Sequence, residues 1–110
     1  MKIMVIKNYK VKTSLTASNP PTGVDTLILT GSEKSTVIKS LEILIGNENA
    51  IVNIFRKDAN DSPYGNIKVD MNAYDYIMLW EGFIAIPSGH TLWINASSNQ
   101  VEAVANVVEL

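Results

Sequence analysis

Few residues in this 110-residue chain have the types that perform chemistry. The chain has one histidine and no cysteine. His90 follows the turn Pro87-Ser88-Gly89, and no serine or threonine near it sits in a recognisable nucleophile motif. A catalytic triad needs a general base with a nucleophile and an orienting acid in reach. His90 therefore reads as a turn residue without a site role. One His and no Cys also leave only carboxylates for a tetrahedral zinc site, so no metal site is expected. The segment Asp58-Ala59-Asn60-Asp61-Ser62 begins like a calcium loop. Pro63 and Val69 then stand where an EF-hand needs Gly and Glu, so turn formation is the reading and an irregular calcium site the alternative. Asn95-Ala96-Ser97 matches the glycosylation sequon, but no secretory leader is evident in MKIMVIKNYKVK. No acid, base and nucleophile can be assembled. The expectation is a non-enzyme without a cofactor.

The charge balance narrows the partners. A net charge of −2 argues against a general nucleic-acid binder. Charged residues make up only 18% of the chain, which hints that a partner covers some surface. Residues 1–12 hold Lys2, Lys7, Lys10 and Lys12 and no acid. They read as an edge strand blunted by lysines or as a basic arm, Lys7 and Lys10 included, lying on an acidic neighbour. Residues 13–110 read as the folded domain. The longest apolar runs, such as Ile43–Ile45 and Ile77–Trp80, are far too short to span a bilayer, which predicts a soluble chain.

Alternation and turns set the fold class. Val11, Thr13, Leu15 and Ala17 share one face of a first strand, and Asn19-Pro20-Pro21-Thr22-Gly23 ends it. Thr26–Thr30 alternates with Leu27 and Leu29 opposite Ile28. Residues 35–46 fit a helix through Val37, Ile38, Leu41, Leu44 and Ile45, or a strand through Val37, Leu41, Ile43 and Ile45 with Lys39 out of place. Four β-branched residues and flanking turns favour the strand. In 51–57, Ile51 and Phe55 oppose Val52 and Ile54, so both faces are apolar and a covered outer face is expected. Ile67, Val69 and Met71 alternate with Asn66, Lys68 and Asp70. A type I turn is expected around Pro87, with Gly89 at its fourth position. Leu92, Ile94 and Ala96 then face inward, with Trp93 outward. These elements predict a single all-β domain: an antiparallel β-sandwich of eight to ten short strands, jelly-roll or immunoglobulin-like.

The aromatic stretch 74–97 carries the remaining signal. Tyr76, Met78 and Trp80 fall on one face by simple alternation. They read as sandwich core or as an outer patch of the residue types enriched at interfaces. A sugar-stacking platform at Trp80 or Trp93 is a third reading. The interface candidates are Lys7, Lys10, Ile51, Phe55, Trp80 and Trp93.

The strand TLIL, the stretch STVIKSLEILIGNENAIVNIFRKD and the ending AIPSGHTLWINASSNQVEAVANVVEL together resemble small structural proteins of tailed-phage virions. The matching segments are Val37–Asn47, Ala50–Asp58, Ile86–Ile94 and Val101–Glu109. They are strand and turn signatures, and no catalytic residue comes across with them. The resemblance implies a β-sandwich or jelly-roll unit of the virion, made in the host cytoplasm. The expected role is capsid decoration, as a homo-oligomer with a trimer favoured, on a major capsid or other virion protein, away from nucleic acid and membrane. A carbohydrate-binding module, or an adhesin or tail-fibre domain, is the alternative.

Overall fold

The computed structural model describes residues 10–11, 15–33 and 36–109. They form nine strands: β1 (Lys10–Val11), β2 (Leu15–Ser18), β3 (Thr26–Thr30), β4 (Thr36–Ile45), β5 (Ala50–Lys57), β6 (Pro63–Met71), β7 (Tyr76–Ile86), β8 (Thr91–Ala96) and β9 (Val101–Glu109). β1 and β2 both pair with β9, which is paired to β4 along its other side, so they occupy one strand position end to end. Two antiparallel sheets result, ordered β1/β2-β9-β4-β7 and β3-β8-β5-β6. The chain crosses between sheets at nearly every connection, and only β5 and β6 are neighbours in both sequence and space. That order is a jelly roll, not an immunoglobulin-like sandwich. Among the described residues no helix is long and apolar enough to cross a membrane.

The inner faces meet in one apolar core. Ile38, Leu41, Ile43 and Ile45 of β4 and Val101, Ala103, Ala105 and Val107 of β9 face Val52 and Ile54 of β5 and Leu92, Ile94 and Ala96 of β8. The expected alternation holds in β8, whose inward residues are fully buried and whose Trp93 points outward. In β5, Val52 and Ile54 are inward and Ile51 and Phe55 outward.

Bulges change the phase where simple alternation fails. A bulge carries one extra residue on one strand, so side chains beyond it switch faces. β4 is a strand throughout, and its register against β9 shifts between Ile38 and Ser40. Lys39 is the extra residue, which explains its misfit: before the bulge Ile38, not Val37, joins the core cluster. In β3 the register shifts between Leu27 and Leu29. Ile28 and Leu29 are consequently both buried, while Leu27 stays outside, correcting the expected pairing of Leu27 with Leu29. In β7 the shift lies opposite Leu41 and Glu42, with Leu79 extra. Trp80 then stands opposite Leu41 and packs against the core instead of sharing the outer face of Tyr76 and Met78.

The turn after β7 also differs from expectation. His90 N–H donates to Pro87 O at 3.0 Å, and Gly89 has a φ of 79°. Proline opens this turn and glycine takes its third position, where type II geometry requires a positive φ. The Asp58 loop closes as a turn. Asp58 Oδ1 accepts from the Asn60 and Ser62 amides at 2.9 and 3.0 Å. Among the described residues no three His, Cys, Asp or Glu side chains are grouped to hold a metal.

β4 is the strand whose core contacts should cost most to lose. Leu41→Ala is expected to lower unfolding free energy by about 2–5 kcal/mol, measured in urea, because Leu41 is fully buried between two paired strands.

Candidate assembly surface

The outer faces of the two sheets differ in how their apolar residues are covered. On β3-β8-β5-β6, Phe55 stands opposite Trp93 and is 8% exposed. Lys57 lies across both rings, its Nζ 6.0 Å from the Phe55 centroid and 4.3 Å from that of Trp93. Trp93 Nε1 donates to Thr91 Oγ1 at 2.7 Å. The lysine stem and ammonium therefore cover this aromatic pair from within the chain, as cation–π geometry favours. A sugar stacking on that face of Trp93 would have to displace the ammonium. Asn95, the sequon residue, donates to Asp25 Oδ1 at 2.8 Å and to Gly23 O at 3.2 Å, tying the 19–25 loop to β8. Ile51 is on the same outer face and 42% exposed.

Where the two sheets approach each other near β6 and β7, one cation is held by rings. The Arg56 guanidinium lies 4.9 Å from the Tyr64 centroid and 5.7 Å from that of Trp80. Tyr64 Oη and His90 Nδ1 share a hydrogen bond at 2.8 Å, with the two rings edge to face. Gly65 makes this possible, since a Cβ there would come within 2.5 Å of Arg56 Nη2. His90 thus buttresses a packed cluster. Trp80 belongs to the same cluster.

The outer face of β7-β4-β9 is covered less well. Leu44 stands opposite Tyr76 and Glu42 opposite Met78. Leu44 is 40% exposed, Met78 42% and Tyr76 54%. The Tyr76 hydroxyl donates to Glu42 Oε1 at 2.6 Å, and Asn106 Nδ2 donates to Ser40 Oγ at 2.9 Å. Asn106 also reaches Glu42 Oε2 at 3.4 Å, so one carboxylate links the outer faces of three strands.

Tyr74 lies in the 72–75 turn that leads into β7 and is 77% exposed. Its φ is 64°, a left-handed conformation that bulky side chains rarely adopt and that costs on the order of 1–3 kcal/mol. Three contacts impose it. Tyr74 N–H donates to Gly46 O at 2.8 Å, Asp75 N–H to Asn72 O at 3.0 Å, and Asn72 N–H to Asp75 Oδ2 at 2.8 Å. Neighbouring loops are laced as tightly: Ala73 N–H to Asn49 Oδ1, Asn47 N–H to Gln100 Oε1 and Ser98 Oγ to Glu48. A rigid loop end therefore holds an aromatic ring out in water.

Of the candidates read from sequence, Ile51 and Trp93 point outward, Phe55 lies covered beneath Trp93 and Lys57, and Trp80 is turned inward. Lys10 is in β1 opposite Glu109, and Lys7 falls outside the described residues. Leu44, Tyr76 and Met78 form the better-exposed apolar patch, with Tyr74 in the turn that leads into β7. Alternation along 76–78 finds Tyr76 and Met78, while Tyr74 lies in the turn before the strand. Leu44 required knowing that β4 is a strand.

No family model matches the chain, and no curated protein matches it in sequence. Two solved structures are similar in outline. One is a pentameric capsid protein isolated from metagenomic phage sequences, at 14% identity and a TM-score of 0.40, covering 98% of this chain and 64% of that one. The other is a chain of infectious bursal disease virus, Gt strain, at 13% identity and a TM-score of 0.37. There the match covers 94% of this chain and 33% of that one. The jelly-roll assignment rests on the strand order, not on these likenesses.

The Glu42 contact has a pH signature. The hydrogen bond to Glu42, then partial burial, then the charge of Glu42 raise the Tyr76 phenol above its ordinary 10.0. A raised folded-state value means the contact's contribution is complete below pH 10.0 and is lost as pH climbs through the folded value. Absorbance titration at alkaline pH should show a late component that Tyr76→Phe removes and Glu42→Gln moves back toward the ordinary value.

Proposed function

We propose that this chain is a non-enzymatic structural protein of a phage virion, an auxiliary or decoration-type subunit that assembles as a homo-oligomer on the particle. The observation that carries the reading is the outer face of β4 and β7. Leu44, Tyr76 and Met78 are exposed on adjoining strands of one face, and Tyr74, in the turn that leads into β7, is exposed in a strained backbone conformation. Tyrosine, methionine and other large side chains on a rigid base are what interface cores are made of. Strain at an exposed residue costs stability in the isolated subunit and is accounted for if the ring is used elsewhere.

The strand and turn segments that resemble tailed-phage structural proteins supply the biological setting, and the jelly roll suits it. In that setting the basic N-terminal segment would reach a neighbouring subunit, and a major capsid protein would be the second partner. Synthesis would take place in the host cytoplasm, with the particle surface as destination.

Light scattering across a concentration series tests the reading. The full chain is expected to pass from monomer to a closed oligomer in the micromolar range, about 8 kcal/mol of association, and to bind emptied capsids. Tyr74→Gly should hold or raise subunit stability by up to about 1 kcal/mol, since glycine accepts a positive φ, while weakening association. A chain that stays monomeric and ignores capsids would refute the proposal.

A further inference from the structure

The exposed β4–β7 face has a rim of one sign, and the chain contains a segment of the other. β4 and β9 place Glu42 and Glu102 beside Leu44, with the basic Lys39 farther along β4. Glu102 pairs directly with Leu44, Glu42 stands between Leu44 and the β4 bulge, and Asp75 adjoins Tyr76 in the turn. The apolar patch is therefore bordered by carboxylates. At the other end of the sequence, Ile3-Met4-Val5-Ile6 lies between Lys2 and Lys7, within twelve residues that hold four lysines and no acid. Such a segment combines apolar side chains for the patch with ammonium groups for the rim.

Chain length decides whose arm it is. Lys10 stands opposite Glu109, and β1 runs antiparallel to β9, so β1 begins at the Glu109 end of the sheet. Along β9 the patch lies five residues from Glu109 at the level of Met78 and seven at that of Leu44. That is about 17 to 23 Å at the rise of a strand. Nine extended residues reach about 30 Å, but reversing direction takes roughly four of them, leaving about 17 Å. The patch also sits two to three strands to the side of β1, on β4 and β7, a further distance of about 10–14 Å at the usual strand spacing. A chain's own arm falls short, and a neighbour's need not.

We propose that residues 2–7 of one copy lie across the acidic-rimmed outer face of β4 and β7 of a second copy, over Leu44, Tyr74, Tyr76 and Met78. This rests on the reading of the chain as self-assembling and adds which segment docks and where.

The test uses the full chain with a photocrosslinking residue at Met78, mixed from isotopically light and heavy batches. Crosslinks should join residues 2–7 to Met78 between light and heavy copies. Deleting residues 2–9 should abolish them and leave monomers. Glu102→Lys should weaken association roughly twofold to fivefold per contact, the size expected of an exposed ion pair, and Lys7→Glu in the same chain should restore it. Salt should weaken association of the wild-type chain more than that of the Glu102→Lys variant. Crosslinks confined within one copy, or an oligomer unchanged by the deletion, would overturn the docking while leaving self-assembly standing. A full chain that is monomeric throughout would overturn both.

Discussion

β4 is hydrogen-bonded along both edges, to β9 and to β7, and this two-sided pairing decides which side chains of three strands face water. With Ile38, Leu41, Ile43 and Ile45 committed to the core, Glu42 and Leu44 are left outside. Tyr76 and Met78 are fixed beside them by register rather than by any preference of their own. A strand held on both sides cannot slip by one residue without exposing four core side chains. The exposed patch is thus a consequence of the same pairing that seals the interior.

The two outer faces show two solutions to a surplus of apolar residues. On the β5–β8 face the chain covers Phe55 and Trp93 with its own Lys57, while Leu27 and Ile51 beside them stay open to water. On the β4–β7 face no described lysine or arginine lies over the tyrosines, and the polar group nearest Tyr76, Glu42, is engaged in bridging strands. Laced loops add rigidity without cover. The difference lies in which side chains the folded strands bring together, and that is a property of topology rather than of composition.

Much of the fold was legible because alternation has a fixed period. β5, β6 and β8 follow it through 51–55, 66–71 and 92–96, and the β5–β6 register shifts only beyond Ile54. The all-β class, the single sandwich and the strand identity of 36–45 came from the same signal plus turn residues. Phase failed at β3, β4 and β7, where an extra residue, Ile28, Lys39 or Leu79, changes which neighbours share a face. Bulges leave little trace in a single sequence, because the added residue need not be glycine. Trp80 changes faces for this reason, and the cover expected over Phe55 comes from Lys57 of the same chain, a tertiary contact that alternation does not reveal. The strain at Tyr74 was invisible for a related cause. Its φ is imposed by Gly46, a residue from a different connection.

The central claim is that one sheet face of the folded subunit is finished only by another molecule. Hydroxyl-radical footprinting read by mass spectrometry reports on it directly, since methionine and tyrosine are oxidised readily when wet. Met78 and Tyr76 should be modified quickly in dilute protein and become protected on assembly, while Met71, 4% exposed, stays protected throughout. Equal oxidation of Met78 and Tyr76 in dilute and assembled protein would contradict the account.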